Sequence, residues 1–270
     1  MDYLARESVE LPEGFWSKLD ETVVGAIKQT LTGRKFLPVF GPLGAGAAYV
    51  QVDSSDLSES EKDGFIKTTG RVTVELPLLY EDFEISWRDI ESSEKSGFSL
   101  ELATAIAGAK KLAKMEDTLL FYGNEFLGQS GLLNEKGTLK IKKSNWADGE
   151  GAYMDVAKAL AMFSEKDILG RYSLVVSPDV YASLYRVVPG LGIIEMERIS
   201  KLLDGRVYKS SALKAGTAFM VCSESQYIDI AVGKDFETAY LEARDMNHIF
   251  RIIETAALRL KNKEAVIRFE

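Results

Sequence analysis

One cysteine and one histidine are present in 270 residues. The lone Cys222 excludes an intrachain disulfide and reads as a small core residue within the apolar run 218–222. One cysteine and one histidine, His248, cannot assemble a zinc-type ligand set. No run approaches the ~18 apolar residues of a membrane span. The opening MDYLARESVELPEGF has neither the basic start nor the apolar block of a secretory signal. A soluble, cytoplasmic protein is therefore expected. Basic residues are in deficit, 33 against 41 acidic, for a net charge of −8. That excludes the basic patch that nucleic acid requires. The pairs Lys110–Lys111 and Lys142–Lys143 read as solvated faces.

Catalytic chemistry is equally sparse. The stretch GPLGAG (41–46) lacks the Gly-Lys-Ser/Thr ending of a phosphate loop and reads as a tight corner. A triad through His248 has no nucleophile elbow to support it. Glu116 and Asp117 are adjacent, so on a helix they diverge by about 100° and form no acid/base pair. Glu81, Asp82 and Glu84 read as a solvated edge or as partners of Arg88. No enzyme and no cofactor are expected.

What is present is patterned apolar residue, 46% of the chain, enough for a sizeable core. Between Ser99 and Gly123, Leu102, Ile106, Ala109, Ala113 and Leu120 share one helical face. Leu112, Met115 and Leu119 widen it, and Lys110, Lys111, Lys114 and Asp117 fall mostly opposite. Ser99 is placed to cap this helix and Gly123 to end it. At ~22 residues it would be about 33 Å long, a spine for the fold. Gly108 at its centre costs roughly 1 kcal/mol against Ala, which another backbone packed close would justify. An earlier helix, Phe15 to Leu31, carries the stripe Trp16, Leu19, Val23, Ala26 and Leu31, and must dock on something.

Residues 47–52 and 65–74 read as two strands joined by the polar tip DSSDLSESEKDG. This arm has too few apolar residues for a core of its own, and an isolated two-stranded arm is barely stable in water. It is expected to lie along a neighbouring subunit. Residues 76–89 read as a strand, with Phe83, Ile85 and Trp87 alternating. Later segments alternate helix and strand, giving an α+β chain in which 135–225 forms its own small lobe.

Six runs in register resemble the encapsulin shell proteins: GRKFLPVFGPLG (33–44), PLLYEDFEISWRDIE (77–91), MEDTLLFYG (115–123), GRYSLVVSPDVYASLYRV (170–187), IIEMERISKLLDGRVYKS (193–210) and DFETAYLEARDMNHIFRIIETAALRL (235–260). WRDIE and the MNH-x-FR run are similar to the branch that encloses iron-storing, ferritin-like cargo. The resemblance implies the tailed-phage major-capsid fold of the Hong Kong 97 type. It divides the chain into an N-terminal helix and crossing (1–46), an extended arm (47–76), a peripheral domain (77–134 with 226–270) and an axial domain (135–225). It implies self-assembly into an icosahedral nanocompartment whose cargo arrives through a short terminal targeting peptide. That peptide would dock in an apolar groove of Val23, Ile27, Leu31, Arg34, Ile228, Ile230 and Val232. Pro38 departs from the acidic residue some relatives carry. The loop Val188, Pro189, Gly190, Leu191, Gly192 would line a pore. Some relatives bind a flavin beside a tryptophan at the place Arg88 occupies here, so no flavin is expected and Trp87 is read as packing. The alternatives are a phage major capsid protein and, from another class, a flavin-binding or proteolytic enzyme.

Overall fold

The computed structural model describes every residue except 1–2, 53–57, 71, 97–98, 148–149, 189 and 191. Helix α1 (Phe15–Thr30) opens on Gly14 and buries Phe15, Leu19, Val23, Ala26 and Ile27. A single turn, α2 (Gly33–Phe36), follows, then the short strand β1 (Val39–Phe40). The arm holds four strands where two were expected: β2 (Tyr49–Val52), β3 (Ser58–Lys62), β4 (Phe65–Thr69) and β5 (Val72–Glu75). They form two ribbons, β2 with β5 and β3 with β4. The outer ribbon buries none of its residues, as expected of an arm without a core.

Strand β6 (Leu78–Ile85) is shorter than the run 76–89, because Trp87–Ser96 is a helix, α3. Trp87 therefore leaves the strand alternation. The spine, α4 (Ala103–Tyr122), begins four residues after Ser99 and has Leu102 as its N-cap. Ser99 instead accepts a hydrogen bond from Lys18 Nζ at 2.7 Å. Gly123 ends the helix at φ 68° as expected, donating its N–H to the Leu119 carbonyl. A small hairpin, β7 (Gly123–Asn124) with β8 (Gln129–Ser130), turns the chain.

The second half comprises β9 (Leu139–Ile141), α5 (Gly151–Glu165), β10 (Tyr172–Val176), α6 (Pro178–Ser183), α7 (Glu195–Leu202), β11 (Val207–Lys209) and β12 (Ala218–Cys222). Two long antiparallel strands, β13 (Ile228–Arg244) and β14 (Asn247–Leu260), then precede β15 (Val266–Phe269). The pairing of β13 with β14 shifts register between Val232 and Lys234, between Lys234 and Glu237, and between Tyr240 and Glu242.

Two main sheets result. The first has the order β1-β13-β14-β6, the second β11-β10-β12-β15-β9. Helices α1 and α4 cover one face of the first sheet, around Leu79, Phe83, Phe250 and Ile252. The base of the arm covers part of the other face, where Val50 and Leu76 meet Ala231 and Ala257. The second sheet packs on α5, α6 and α7 through Phe163, Val180, Met196 and Ile199. Its fourth strand is β15, so residues 266–269 depart from the expected division. They belong to the sheet of the 135–225 lobe, between β12 and β9.

Candidate functional site

The aliphatic residues of the predicted groove are buried. Val23, Ile27, Leu31, Ile228, Ile230 and Val232 are each at most 5% exposed. The first three pack under the first sheet with the spine helix, and the last three join Phe36, Leu120 and Leu258 in a neighbouring cluster. They are core, not open walls. Arg34 alone of that set keeps exposed surface, 17% of its side chain.

Arg34 sits at the centre of a charge cluster. Its Nε lies 3.1 Å from both oxygens of Glu116, and its Nη2 lies 2.8 Å from Glu116 Oε2. Nη2 also reaches Glu254 on β14, and Nη1 donates to Asp235 at 2.8 Å. The guanidinium lies 4.9 Å from the centre of the Phe236 ring. Burial opposes the charge on Arg34, but Glu116 and Glu254 together outweigh it and hold the group protonated.

Glu116 and Asp117 diverge as expected, yet both are buried, against the solvent-facing assignment of Asp117. Asp117 turns to the start of α2, where it accepts the N–H of Thr32 at 2.9 Å. Met115, expected on the apolar face, is 39% exposed. The missed signal was positional: Glu116 and Asp117 fall between Ala113 and Leu120, inside the apolar stripe. Arg259 is similar, a cation within Ala-Ala-Leu-Arg-Leu. It is buried with Asp229 at 2.6 Å, donates to the Gln51 carbonyl of the arm at 3.0 Å, and lies 3.8 Å from the centre of the Phe40 ring. It ties the arm to the body.

In the predicted pore loop, Val188 is buried and donates its N–H to the Ile193 carbonyl, so its side chain packs inward. Gly190 and Gly192 are exposed at positive φ, and Pro189 and Leu191 lie outside the described residues. Arg88 is not the partner of the β6 acids. Glu81 pairs with Lys111 and Asp82 with Arg251, while Arg88 lies over Trp87. His248 is half-buried with Nδ1 3.4 Å from the Tyr240 hydroxyl, and burial lowers its pKa. Burial pushes the Cys222 thiol up to about 12, which makes it a poor nucleophile. Among the described residues no group of three His, Cys, Asp or Glu could hold a metal, and no helix is long and apolar enough to cross a membrane.

The exposed apolar residues form the more telling set. Phe65 and Ile66, at the turn of the arm's outer ribbon, are 79% and 68% exposed. Phe126, at the tip of the β7–β8 hairpin, is 95% exposed. Asn124 Oδ1 accepts the Phe126 N–H at 2.9 Å and so braces that tip. A groove of about 1,280 Å³ runs between the arm and the body, past Tyr49, Val72, Leu127 and Leu260.

The family model described as "Encapsulating protein for peroxidase" matches residues 1–257. The type 1 encapsulin shell protein EncA of Myxococcus xanthus is 32% identical, over all of this chain and 96% of its own. A dihaem-cytochrome–encapsulin shell fusion protein of Kuenenia stuttgartiensis is also 32% identical, over 94% of this chain and 72% of its own. Among solved structures, the virus-like particle of Pyrococcus furiosus superposes with a TM-score of 0.75 at 22% identity, over 96% of this chain and all of that one. The capsid of the Myoviridae phage XM1 gives 0.64 at 15% identity, over 88% of this chain and 91% of its own. The α+β architecture is thus the tailed-phage capsid fold, and the chain belongs to the encapsulin family of shell proteins.

Proposed function

We propose that copies of this chain close into a hollow icosahedral nanocompartment that encloses cargo enzymes of the ferritin-like, iron-handling class. The observation that carries self-assembly is the arm. Its outer ribbon has Phe65 and Ile66 in water and buries none of its own residues. Ribbons of that kind gain order when a neighbour covers them. The shell-forming relatives support the same reading. Enclosed cargo is supported by the family description and by the relative in which a cytochrome is fused to the shell chain. The ferritin-like class rests on the WRDIE and MNHIFR runs.

The targeting peptide is assigned to the surface around Arg34 and Phe236. Of the six aliphatics predicted to touch it, Val23, Ile27 and Leu31 belong to the cluster that Phe236 packs against. Phe236→Ser is then expected to leave particles intact but empty, whereas cargo that still co-purifies would exclude this seat.

Assembly is tested by sedimentation and negative-stain microscopy of the chain expressed alone. Uniform hollow spheres are expected. The double variant Phe65→Ser/Ile66→Ser is expected to shift mass toward the 29.9 kDa subunit while circular dichroism stays unchanged. A wild-type chain that remains monomeric, or a double variant that assembles normally, would overturn the reading.

A further inference from the structure

The ionic cluster under α2 does not balance. Three hydrogen-bond contacts of Arg34 go to Glu116, and its Nη2 is shared with Glu254. Both glutamates have no exposed side-chain surface. Asp235 of β13, the third partner, is 64% exposed and solvated. One cation therefore faces two carboxylates in the interior.

The surrounding elements bring no relief. On α4, Asp117 adds another carboxylate, and Lys111 is taken by Glu81 of β6 at 2.6 Å. On β13, Lys234 is taken by Glu237 at 2.5 Å. Helix α1 contributes aliphatics, Ala26 and Ile27, with Leu31 beyond its end. The second oxygen of Glu254, Oε2, is buried with no hydrogen-bond partner among the described residues. A buried charge with an unsatisfied oxygen beside a second carboxylate is the arrangement that favours the neutral acid.

We infer that Glu254 is a neutral carboxylic acid in the folded protein, and that this proton latches the N-terminal segment α1–α2 to the spine helix and the sheet. Burial, then the neighbouring Glu116, pushes the acid well above its ordinary range, with Arg34 pulling the other way. The inference concerns the subunit and does not depend on the shell reading.

Opening the segment lets water reach Glu254, which then titrates near its free value of about 4.3. Below that pH both states hold the proton, and the latch is fully closed. Above it, only the docked state does, so each pH unit favours opening by up to about tenfold until the docked acid itself ionises.

Glu254→Gln keeps the shape of the neutral acid and has no proton to lose. Hydrogen exchange over residues 15–36, compared between wild type and Glu254→Gln at each pH, cancels the intrinsic pH dependence of exchange. The variant's relative protection is expected to rise with pH by up to about tenfold per unit. Infrared spectra of the wild type are expected to show a protonated carboxylic carbonyl band that Glu254→Gln removes. A protection ratio flat across pH, a variant less protected throughout or unable to fold, or a wild type without that band would each overturn the inference.

Discussion

The carboxylate of Asp117 accepts the backbone N–H of Gly33 at 2.8 Å. A Cβ at Gly33 would lie 2.6 Å from Leu120 and 3.2 Å from that same carboxylate. The glycine thus lets the first turn of α2 sit down on the spine helix, and Asp117 satisfies the buried N–H groups that result. Asp117→Ala leaves those of Thr32 and Gly33 without an acceptor and is expected to cost about 2 kcal/mol or more, read by chemical denaturation. Burial raises the Asp117 pKa from 3.8 to about 6 against these bonds. The folded state therefore holds a proton that the unfolded chain releases. Its contribution is full below 3.8 and falls as pH rises through about 6. Asp117→Asn should flatten that part of the stability–pH curve.

Gly108 and Gly131 are expected to respond oppositely to alanine. A Cβ at Gly108 meets Glu81 at 3.6 Å and Phe83 at 3.7 Å, ordinary contact distances. The helix gains from alanine there, so Gly108→Ala is expected to stabilise by about 0.5–1 kcal/mol, contrary to the close-backbone reading. A Cβ at Gly131 would lie 2.4–2.5 Å from the backbone of Gly123, Phe121 and Tyr122. Gly131→Ala is expected to prevent folding of the β7–β8 hairpin. Thermal melts of the two variants check both.

Ile230→Asp distinguishes core from groove. Ile230, on β13 of the first sheet, is fully buried in the cluster of Phe36 and Leu120. An aspartate there is an unpaired charge in an apolar interior, which is strongly destabilising. The expected outcome is an insoluble chain. A soluble, assembled but empty particle would show that the site opens to a peptide.

Removing Arg259 alone strands a buried Asp229. Arg259→Met is expected to cost about 3–5 kcal/mol, and adding Asp229→Leu to recover much of it. Lys261 Nζ, 3.0 Å from the same carboxylate, reduces the first figure. A double-mutant cycle in urea measures the coupling. Exchange of the Val50 and Gln51 amides should rise in the single variant, since Arg259 holds the Gln51 carbonyl.

Much of this fold was legible because periodicity reports burial. Helix α1 starts at Phe15 as its stripe predicts and ends within a residue of its predicted end. The misreadings share a cause, which is that periodicity carries no record of partners. Asp117 was assigned to solvent because it is charged, although its position was inside the stripe. Trp87 continued a strand alternation, yet the Ser86 carbonyl accepts the N–H of Asp89 and Ile90 and starts a helix there. The predicted groove residues pose the opposite problem. An aliphatic floor and an aliphatic wall read identically in a sequence, and only packing against neighbouring elements separates them.

The position of β15 also dictates timing during synthesis. Among the described residues, strand β9 has one neighbour in the second sheet, and that neighbour is β15. A ribosome making this chain releases β9 long before residues 266–269 exist. The interval leaves β9 unpaired and one side of β12 open, with Ile141 and Met220 lacking the cover of Ile267 and Phe269. The first sheet can close as β14 emerges, but the second waits for the last strand. A chain truncated before residue 266 should therefore keep every strand of the first sheet and leave the second sheet without the strand that joins β12 to β9.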